Sequence, residues 1–190
     1  MKQYRFCPVC GGRLDREHQA VPGLAMLVCT ACRFEFWQNS KPAVGAFVVR
    51  SIDGQPSLLL TRRGIDPYKG MWDTPGGYLE NGEHPEAGLA RELREELGAA
   101  IARPRLLSLA IAEYPREDVA EEARFVLTLY YRCDIVGEGP LVPADDVVEA
   151  AWFPLHDPLP QIAFPGAVGP ALAALVMSLG EEAAPGARSG

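Results

Sequence analysis

The chain has 190 residues, with 18 Lys and Arg against 25 Asp and Glu and a formal net charge of −7. That balance speaks against a nucleic-acid coat or a membrane-surface binder, both of which need a basic face, and it draws cations such as Mg²⁺ toward the surface. With 48% hydrophobic and 23% charged residues, wholesale disorder is excluded, and the length suits one core of about 100–150 residues plus a small appendage.

No run reaches the roughly 18 consecutive apolar residues of a membrane span. Residues 1–10 carry charges and two cysteines where a signal peptide has its apolar core, so a cytoplasmic protein with no membrane partner is expected. Residues 1–38 read as a small ribbon built around two Cys-x-x-Cys pairs, Cys7 with Cys10 and Cys29 with Cys32. Each pair brackets a tight turn, helped at the first by Pro8, Gly11 and Gly12, and lets both sulfurs face one point at the ~2.3 Å of a tetrahedral Zn²⁺ site. Four thiolates leave no open position for water, which makes the site structural, contributing on the order of 10–16 kcal/mol to a segment too short for its own core. Two disulfides, or a redox pair, are the alternatives; neither suits a chain without a signal peptide that carries the motif twice. Cys133 stands alone in an alternating run and is expected to be a buried, inert strand residue.

Past Lys41-Pro42 the character changes. Residues 43–50 and 57–62 read as strands joined by a hairpin turn at Asp53-Gly54. A glycine-rich loop over 64–82 leads into a helix that starts at Pro85 and stops at Gly98. Strands are expected over 106–114 and 125–133 with an acidic loop between them, and again over 147–153. Residues 154–170 read as proline-punctuated loop, 171–179 as an apolar helix and 181–190 as a disordered tail. The mixed order of strands and helices gives an α/β fold around one core.

The chemistry concentrates on the first helix. Taking Glu92 as zero, Glu95 falls at about 300° and Glu96 at about 40°, so three carboxylates share a wedge about 100° wide. Leu89, Leu93 and Leu97 form an adjoining apolar stripe, and burying it holds the carboxylates at the rim of a cleft. Like charges at these spacings repel, and a hard divalent cation, Mg²⁺ or Mn²⁺, is the natural compensation. Gly76 and Gly77 let backbone approach a ligand or metal closely. Glu83 can reach the metal through water or pair with Arg91, whose guanidinium can orient the carboxylates. A solvated Glu/Arg helix face is the bland alternative, set aside because of the glycine loop and Glu83 ahead of it.

Gly77, Glu83, Arg91-Glu92-Leu93, Glu95-Glu96 and Gly98 together resemble the Nudix box, with Ala99 in place of a bulkier aliphatic residue and Ile101 close by to fill the gap. The resemblance implies a Nudix α/β/α sandwich with a mixed sheet over 39–180. It also implies divalent-metal-dependent hydrolysis of a nucleoside diphosphate linked to another moiety, with metal held by Glu92, Glu95, Glu96 and Gly77 and Glu83 assisting. Such chemistry needs phosphate charge neutralised and a water deprotonated. Glu96 is the expected base, with Glu117, Asp118, Glu121, Glu122 and Glu149 as alternatives.

The ribbon ahead of the box resembles the branch that includes FAD and ADP-ribose pyrophosphatases. The match rests on Asn39-x-Lys41-x-Ala43-Val44-Gly45, on Gly70-x-Trp72-x-Thr74-Pro75-x-Gly77-Tyr78-Leu79-Glu80-x-Gly82-Glu83 and on Leu159-Pro160-x-Ile162-Ala163-Phe164. The Ser-Gln-Pro-Trp-Pro-Phe-Pro element of NADH pyrophosphatases is missing from 101–114. The resemblance therefore implies cleavage of FAD or ADP-ribose to AMP plus the other phosphate, with NADH, NAD-capped RNA, a nucleoside triphosphate or an mRNA cap as alternative substrates. Tyr78, Phe164 and Trp37 are candidates for stacking on a flat ring, whereas Trp72 and Trp152 read as core anchors. His18, His84 and His156 have no metal-ligand spacing. A non-catalytic ligand sensor, with the ribbon contacting RNA or a protein, is the competing class; the intact carboxylates and sparse basic residues of the ribbon count against it. A homodimer is compatible with the sequence and not required by it.

Overall fold

The structure is a computed structural model and describes residues 4–16, 26–37, 39–115 and 124–183. The ribbon is a three-stranded antiparallel sheet in the order β1 (Leu14–Arg16), β2 (Met26–Cys29), β3 (Glu35–Trp37). Its apolar interior is minute: Cys7, Leu14, Leu27 and Cys29, with Phe34 and Phe36 against them.

The second sheet is mixed. It contains β4 (Lys41–Ile52), β5 (Gln55–Arg63), β6 (Trp72–Asp73), β7 (Ala100–Tyr114), β8 (Arg124–Val136) and β9 (Val147–Pro154), in the order β6-β5-β4-β8-β7 with β9 also paired to β5. Among the described residues only the β4–β8 ladder is parallel; the remaining ladders are antiparallel. The β4–β5 hairpin turns at Asp53 (φ 50°) and Gly54 (φ 80°), two consecutive left-handed residues that match the strand twist as an Asp-Gly turn should. Strand residues alternate between faces. Val44, Ala46, Val48, Leu59, Tyr131 and Cys133 pack under α1 (Pro85–Leu97), while Phe47, Leu58, Leu60 and Tyr130 pack under α2 (Pro165–Ala183). Helices on both faces of a mixed sheet make the α/β/α sandwich.

Helix α1 begins where His84 caps it, Nδ1 accepting the Glu86 N–H at 3.4 Å, with Pro85 in the first turn. It ends at Gly98, whose left-handed φ of 65° turns the chain into β7. Leu89, Leu93 and Leu97 are fully buried, and Ala99 is buried in the same cluster with Ile101 packed against it. Cys133 is buried, and burial pushes its thiol up to about 12, which fits an inert strand residue. Trp72 and Trp152 pack against the α2-side and α1-side cores respectively.

The strands β4, β5 and β8 run one to three residues past their expected ends, and Trp72–Asp73, inside the expected glycine loop, pairs with β5 as a short strand. Strand β7 starts at Ala100 because β-bulges after Ala102 and Leu106 carry its pairing with β8 through Arg103-Pro104. Helix α2 starts at Pro165, inside the expected loop. A proline there meets the helix's N-terminal tolerance, and Pro170 sits inside the helix at the loss of only one backbone bond. The same helix runs through Ala183, three residues into the expected tail; residues 184–190 lie outside the described residues. Among the described residues no helix is long and apolar enough to cross a membrane.

Candidate active site

Two glycines fix where α1 meets the sheet. A Cβ on Gly76, whose φ is 141°, would collide with the Val44 carbonyl, and one on Gly77 would lie 2.7 Å from the Glu92 carboxylate. The loop therefore runs directly over the carboxylates because no side chain intervenes. The Gly76 N–H donates to Glu96 Oε2 at 3.0 Å, and the Gly77 carbonyl accepts from the Val44 N–H at 2.9 Å.

Arg91 braces the acidic face. Its Nε and Nη2 form a two-pronged pair with Glu83, both at 2.9 Å, and Nη1 donates to Glu92 at 2.8 Å and to Glu95 at 3.0 Å. Nη2 also reaches the Tyr78 carbonyl at 3.1 Å. Of the two roles open to Glu83, the structure shows the pairing with Arg91. That guanidinium, with the Glu80 N–H, holds the Glu83 carboxyl down at about 2. Glu95 remains half exposed.

Glu96 is in a different situation. It is only 4% exposed, and burial, opposed by the Gly76 N–H and reinforced by the nearby charges of Asp146, Glu92 and Asp73, pushes its carboxyl up to about 9. Glu92 is also raised, first by burial. Asp73 is pushed by burial up to about 7 despite its ion pair with Arg63 at 3.4 Å. Carboxylates raised by burial first and by neighbouring carboxylates second form a hard-oxygen donor set short of positive charge, which is the electrostatic signature that fits a divalent cation. Asp73 and Asp146 were not anticipated from sequence. Asp73 occupies an unspecified position between Trp72 and Thr74, and Asp145-Asp146 has the look of an ordinary polar turn before β9.

Beside these residues a cavity of about 250 Å³ opens on the α2 side of β4 and β8. Its lining includes Gly76, Gly77, Asp73 and Asp146 at the carboxylate end, and Tyr78, Tyr114 and Phe164 as aromatic walls. Tyr114 stacks on Phe164 with ring centroids 5.3 Å apart, Tyr68 meets Phe164 edge-on at 4.9 Å, and Tyr78 lies 6.2 Å from Tyr114. Phe164 has a left-handed φ of 48°, which is strained for an aromatic residue, and its carbonyl accepts the Ala167 and Val168 N–H groups as α2 begins.

Thus Tyr78 and Phe164 lie together in the cavity, but Trp37 does not line it. The register of β3, Trp37 opposite Met26, fixes that ring in the ribbon, where it is 46% exposed. Glu149 is tied to Arg62 at 3.3 Å and is not among the cavity's lining residues, while Glu117, Asp118, Glu121 and Glu122 lie outside the described residues, as does His18. His84 is a helix cap and His156 pairs with Asp157 at 3.4 Å.

In the ribbon, the sulfurs of Cys7, Cys10, Cys29 and Cys32 all lie within 4.8 Å of one another, with Cys7 to Cys32 at 3.7 Å and Cys10 to Cys29 at 3.5 Å. Tetrahedral Zn–S bonds require sulfur separations of about 3.8 Å, so the donor set fits zinc. The Cys32 N–H helps hold the Cys29 thiol down at about 6, toward the thiolate a metal needs. A Cβ at Gly12 would lie 2.9 Å from Ala31 and 3.1 Å from the Cys29 sulfur, which is why the turn carries glycine there.

Residues 39–172 match the sequence profile of the NUDIX domain, and the chain belongs to the Nudix hydrolase family. It is 30% identical over 163 residues to the NAD-capped RNA hydrolase NudC of Stutzerimonas stutzeri, covering 85% of this chain and 52% of that protein. It is 34% identical over 113 residues to the ADP-ribose pyrophosphatase of Methanocaldococcus jannaschii, covering 60% of this chain and 63% of that one. The chain therefore spans about half the length of the NudC relatives it matches. Among solved structures, a Nudix hydrolase from Nitrosomonas europaea superposes with a TM-score of 0.66 at 27% identity over 88% of both chains. The fold is also shared with the NUDIX domain of Shewanella oneidensis NrtR, solved with ADP ribose, at a TM-score of 0.63, 20% identity and 75% and 90% coverage of the two chains.

Proposed function

We propose that this protein hydrolyses the pyrophosphate linkage of an adenosine diphosphate derivative, ADP-ribose or FAD foremost, to AMP and the other phosphate, with Mg²⁺ or Mn²⁺. The observation that carries the reading is the shared wall of Gly76 and Gly77, where the aromatic cavity meets the buried carboxylates. A flat base laid against Tyr78 and the edge of the Tyr114–Phe164 stack would place its phosphates toward the acidic end.

Glu92, Glu95, Glu96 and the Gly77 carbonyl would hold the divalent ion, which when bound neutralises phosphate charge and lowers the pKa of water. Arg91 and Glu83 keep those carboxylates in place. Water attacks phosphorus, the bridging oxygen leaves with the departing phosphate, and the water's proton needs an acceptor. Glu96 Oε1 is the oxygen left for it, since Oε2 takes the Gly76 N–H. The ribbon's zinc would be structural. NAD-capped RNA is the second reading: it contains the same ADP half, and the NudC relatives bear that activity in their name. A purely sensing role is disfavoured by the complete carboxylate set.

The test is hydrolysis of ADP-ribose, FAD, NADH, NAD-capped RNA and dNTPs with each metal, read as the product each gives: AMP from the first three, nicotinamide mononucleotide from the capped RNA and dNMP from the dNTPs. ADP-ribose or FAD at least tenfold faster than the others, abolished in Glu96→Gln, supports the proposal. Tight binding with no turnover of any substrate overturns it.

A further inference from the structure

A groove of about 380 Å³ opens between α2 and the β7–β8 ladder, toward the opposite end of that ladder from the aromatic cavity. Arg103, Arg105 and Arg132 line it, with Asp134 and, from α2, Ser178 and Glu182. Cations thus outnumber acids there, in a chain whose net charge is −7. The register makes the crowding explicit. Arg105 stands directly opposite Arg132, and like charges directly opposite each other destabilise an antiparallel pair. The bulge after Ala102 brings Arg103 to the same groove, and its left-handed φ of 52° is an uncommon conformation for any residue but glycine. Two of the three guanidiniums are partly compensated: Arg103 Nε donates to Asp134 at 2.7 Å and Arg132 Nη1 to Glu182 at 2.8 Å. Each bond uses one of five donors, and solvent screens pairs this exposed. The Arg105 side chain has no partner among the described residues. A β-branched residue opposite Arg132 would serve the ladder better than a second arginine does, so the arrangement calls for an oxyanion between them.

We propose that this groove is a phosphate-binding site separate from the aromatic cavity, with the Arg105 and Arg132 guanidiniums converging on one phosphate group and Arg103 completing the positive rim. Guanidinium forks match phosphate oxygens, and the bound dianion turns the Arg105–Arg132 repulsion into shared attraction. From Val126, at the cavity wall, to Arg132, in the groove, β8 runs roughly 20 Å, too far for one phosphate to serve both. Two sources share this chemistry: free phosphate, and the backbone of a longer nucleotide chain whose end lies in the cavity. The site does not depend on the hydrolytic reading above.

The experiment titrates inorganic phosphate, and separately a short single-stranded RNA, into the full zinc-loaded chain without Mg²⁺, followed by amide NMR shifts, for the parent, Arg105→Gln and Arg105→Lys. Phosphate should move amides around Arg103, Arg105, Arg132 and Ser178. Arg105→Gln should weaken it about tenfold or more, with Arg105→Lys in between, because a point charge replaces the fork. Arg105→Gln should also melt at or slightly above the parent, since the repulsion across the ladder is gone. Should it melt early instead, Arg103→Gln, on the exposed rim, takes its place in the titration, and undiminished phosphate binding there overturns the proposal. RNA binding at least tenfold tighter than phosphate, and weakened in Arg105→Gln, identifies the backbone as the source; RNA no tighter than phosphate identifies the free ion; either upholds the site. Phosphate that moves only amides near Gly76 and Gly77, or that binds Arg105→Gln as tightly as the parent, overturns it. The hydrolytic reading fails separately, by absence of turnover in a chain whose groove still binds phosphate.

Discussion

The ribbon and the α1 face both gather anionic ligand side chains, but they hold them by opposite means. In the ribbon the four sulfurs converge within 4.8 Å around an interior of a few apolar side chains. On α1 the carboxylates sit on a large apolar cluster, and an arginine inside the array ties Glu92 and Glu95 down. A region with almost no core would depend on a bound metal to fold, whereas a region with a full core can present charged donors before any metal arrives.

The largest expected effect tests that dependence. Chelation of zinc, or Cys29→Ser, should unfold the ribbon outright, a loss on the order of 10 kcal/mol for that segment. Hydrogen exchange should then show residues 4–37 unprotected and the amides of β4, β5 and β8 unchanged. Loss of protection in both regions together would break the contrast. On the other side, Glu92→Gln and Glu96→Gln should each lower AMP release by about a hundredfold or more, since several kcal/mol of charge stabilisation would depend on the ion they are proposed to hold. Melting temperatures should hold or rise, because each change removes a carboxylate that burial disfavours.

Gly77→Ala should be smaller but mixed. The added methyl lies 2.7 Å from the Glu92 carboxyl carbon and both its oxygens, so the carboxylate must shift. A cost of about 1–3 kcal/mol in stability is expected, with turnover reduced about tenfold. A variant that keeps full activity would show that Glu92 tolerates displacement, and that Arg91 alone does not set its position.

Much of this was legible in the sequence because the signals are local. Cys-x-x-Cys spacing, the Asp53-Gly54 turn, the Pro85 start and Gly98 stop, and the leucine stripe beside Glu92, Glu95 and Glu96 each act over a few residues. Arg91's pairing with Glu83 was available from the same stretch as one of two options. What could not be read are the residues that meet only through the sheet. Asp73 and Arg63 come together because β6 pairs with β5, and Asp146 joins them where the chain enters β9. Tyr114 meets Phe164 across elements distant in sequence. Trp37 illustrates the converse: an exposed aromatic near the domain junction is a fair candidate for stacking until strand register commits it to the ribbon.

The smallest effect expected concerns pH, and it sharpens the comparison within the α1 face itself. Glu83 is held at about 2, below its ordinary 4.5, so its ionised form contributes stability above pH 4.5 that is lost as pH falls toward 2. Glu96, raised to about 9, has the opposite sign: between pH 4.5 and 9 the folded chain binds the extra proton, so stability falls as pH rises. Asp73, raised to about 7 from 3.8, adds to the same alkaline limb. Without divalent metal, the melting temperature of the carboxylate-bearing domain should therefore peak near pH 5 and drop toward pH 9. Mg²⁺ should flatten that limb, because a cation among Glu92, Glu96 and Asp73 supplies the charge that the buried carboxylates lack. Differential scanning calorimetry of the parent, Glu83→Gln and Glu96→Gln separates the two limbs. Glu83→Gln should shallow the acid side and Glu96→Gln the alkaline side. An alkaline limb unchanged by either Glu96→Gln or Mg²⁺ would mean that the buried carboxylate is not what titrates, and that the contrast between a braced Glu83 and an uncompensated Glu96 does not govern this face.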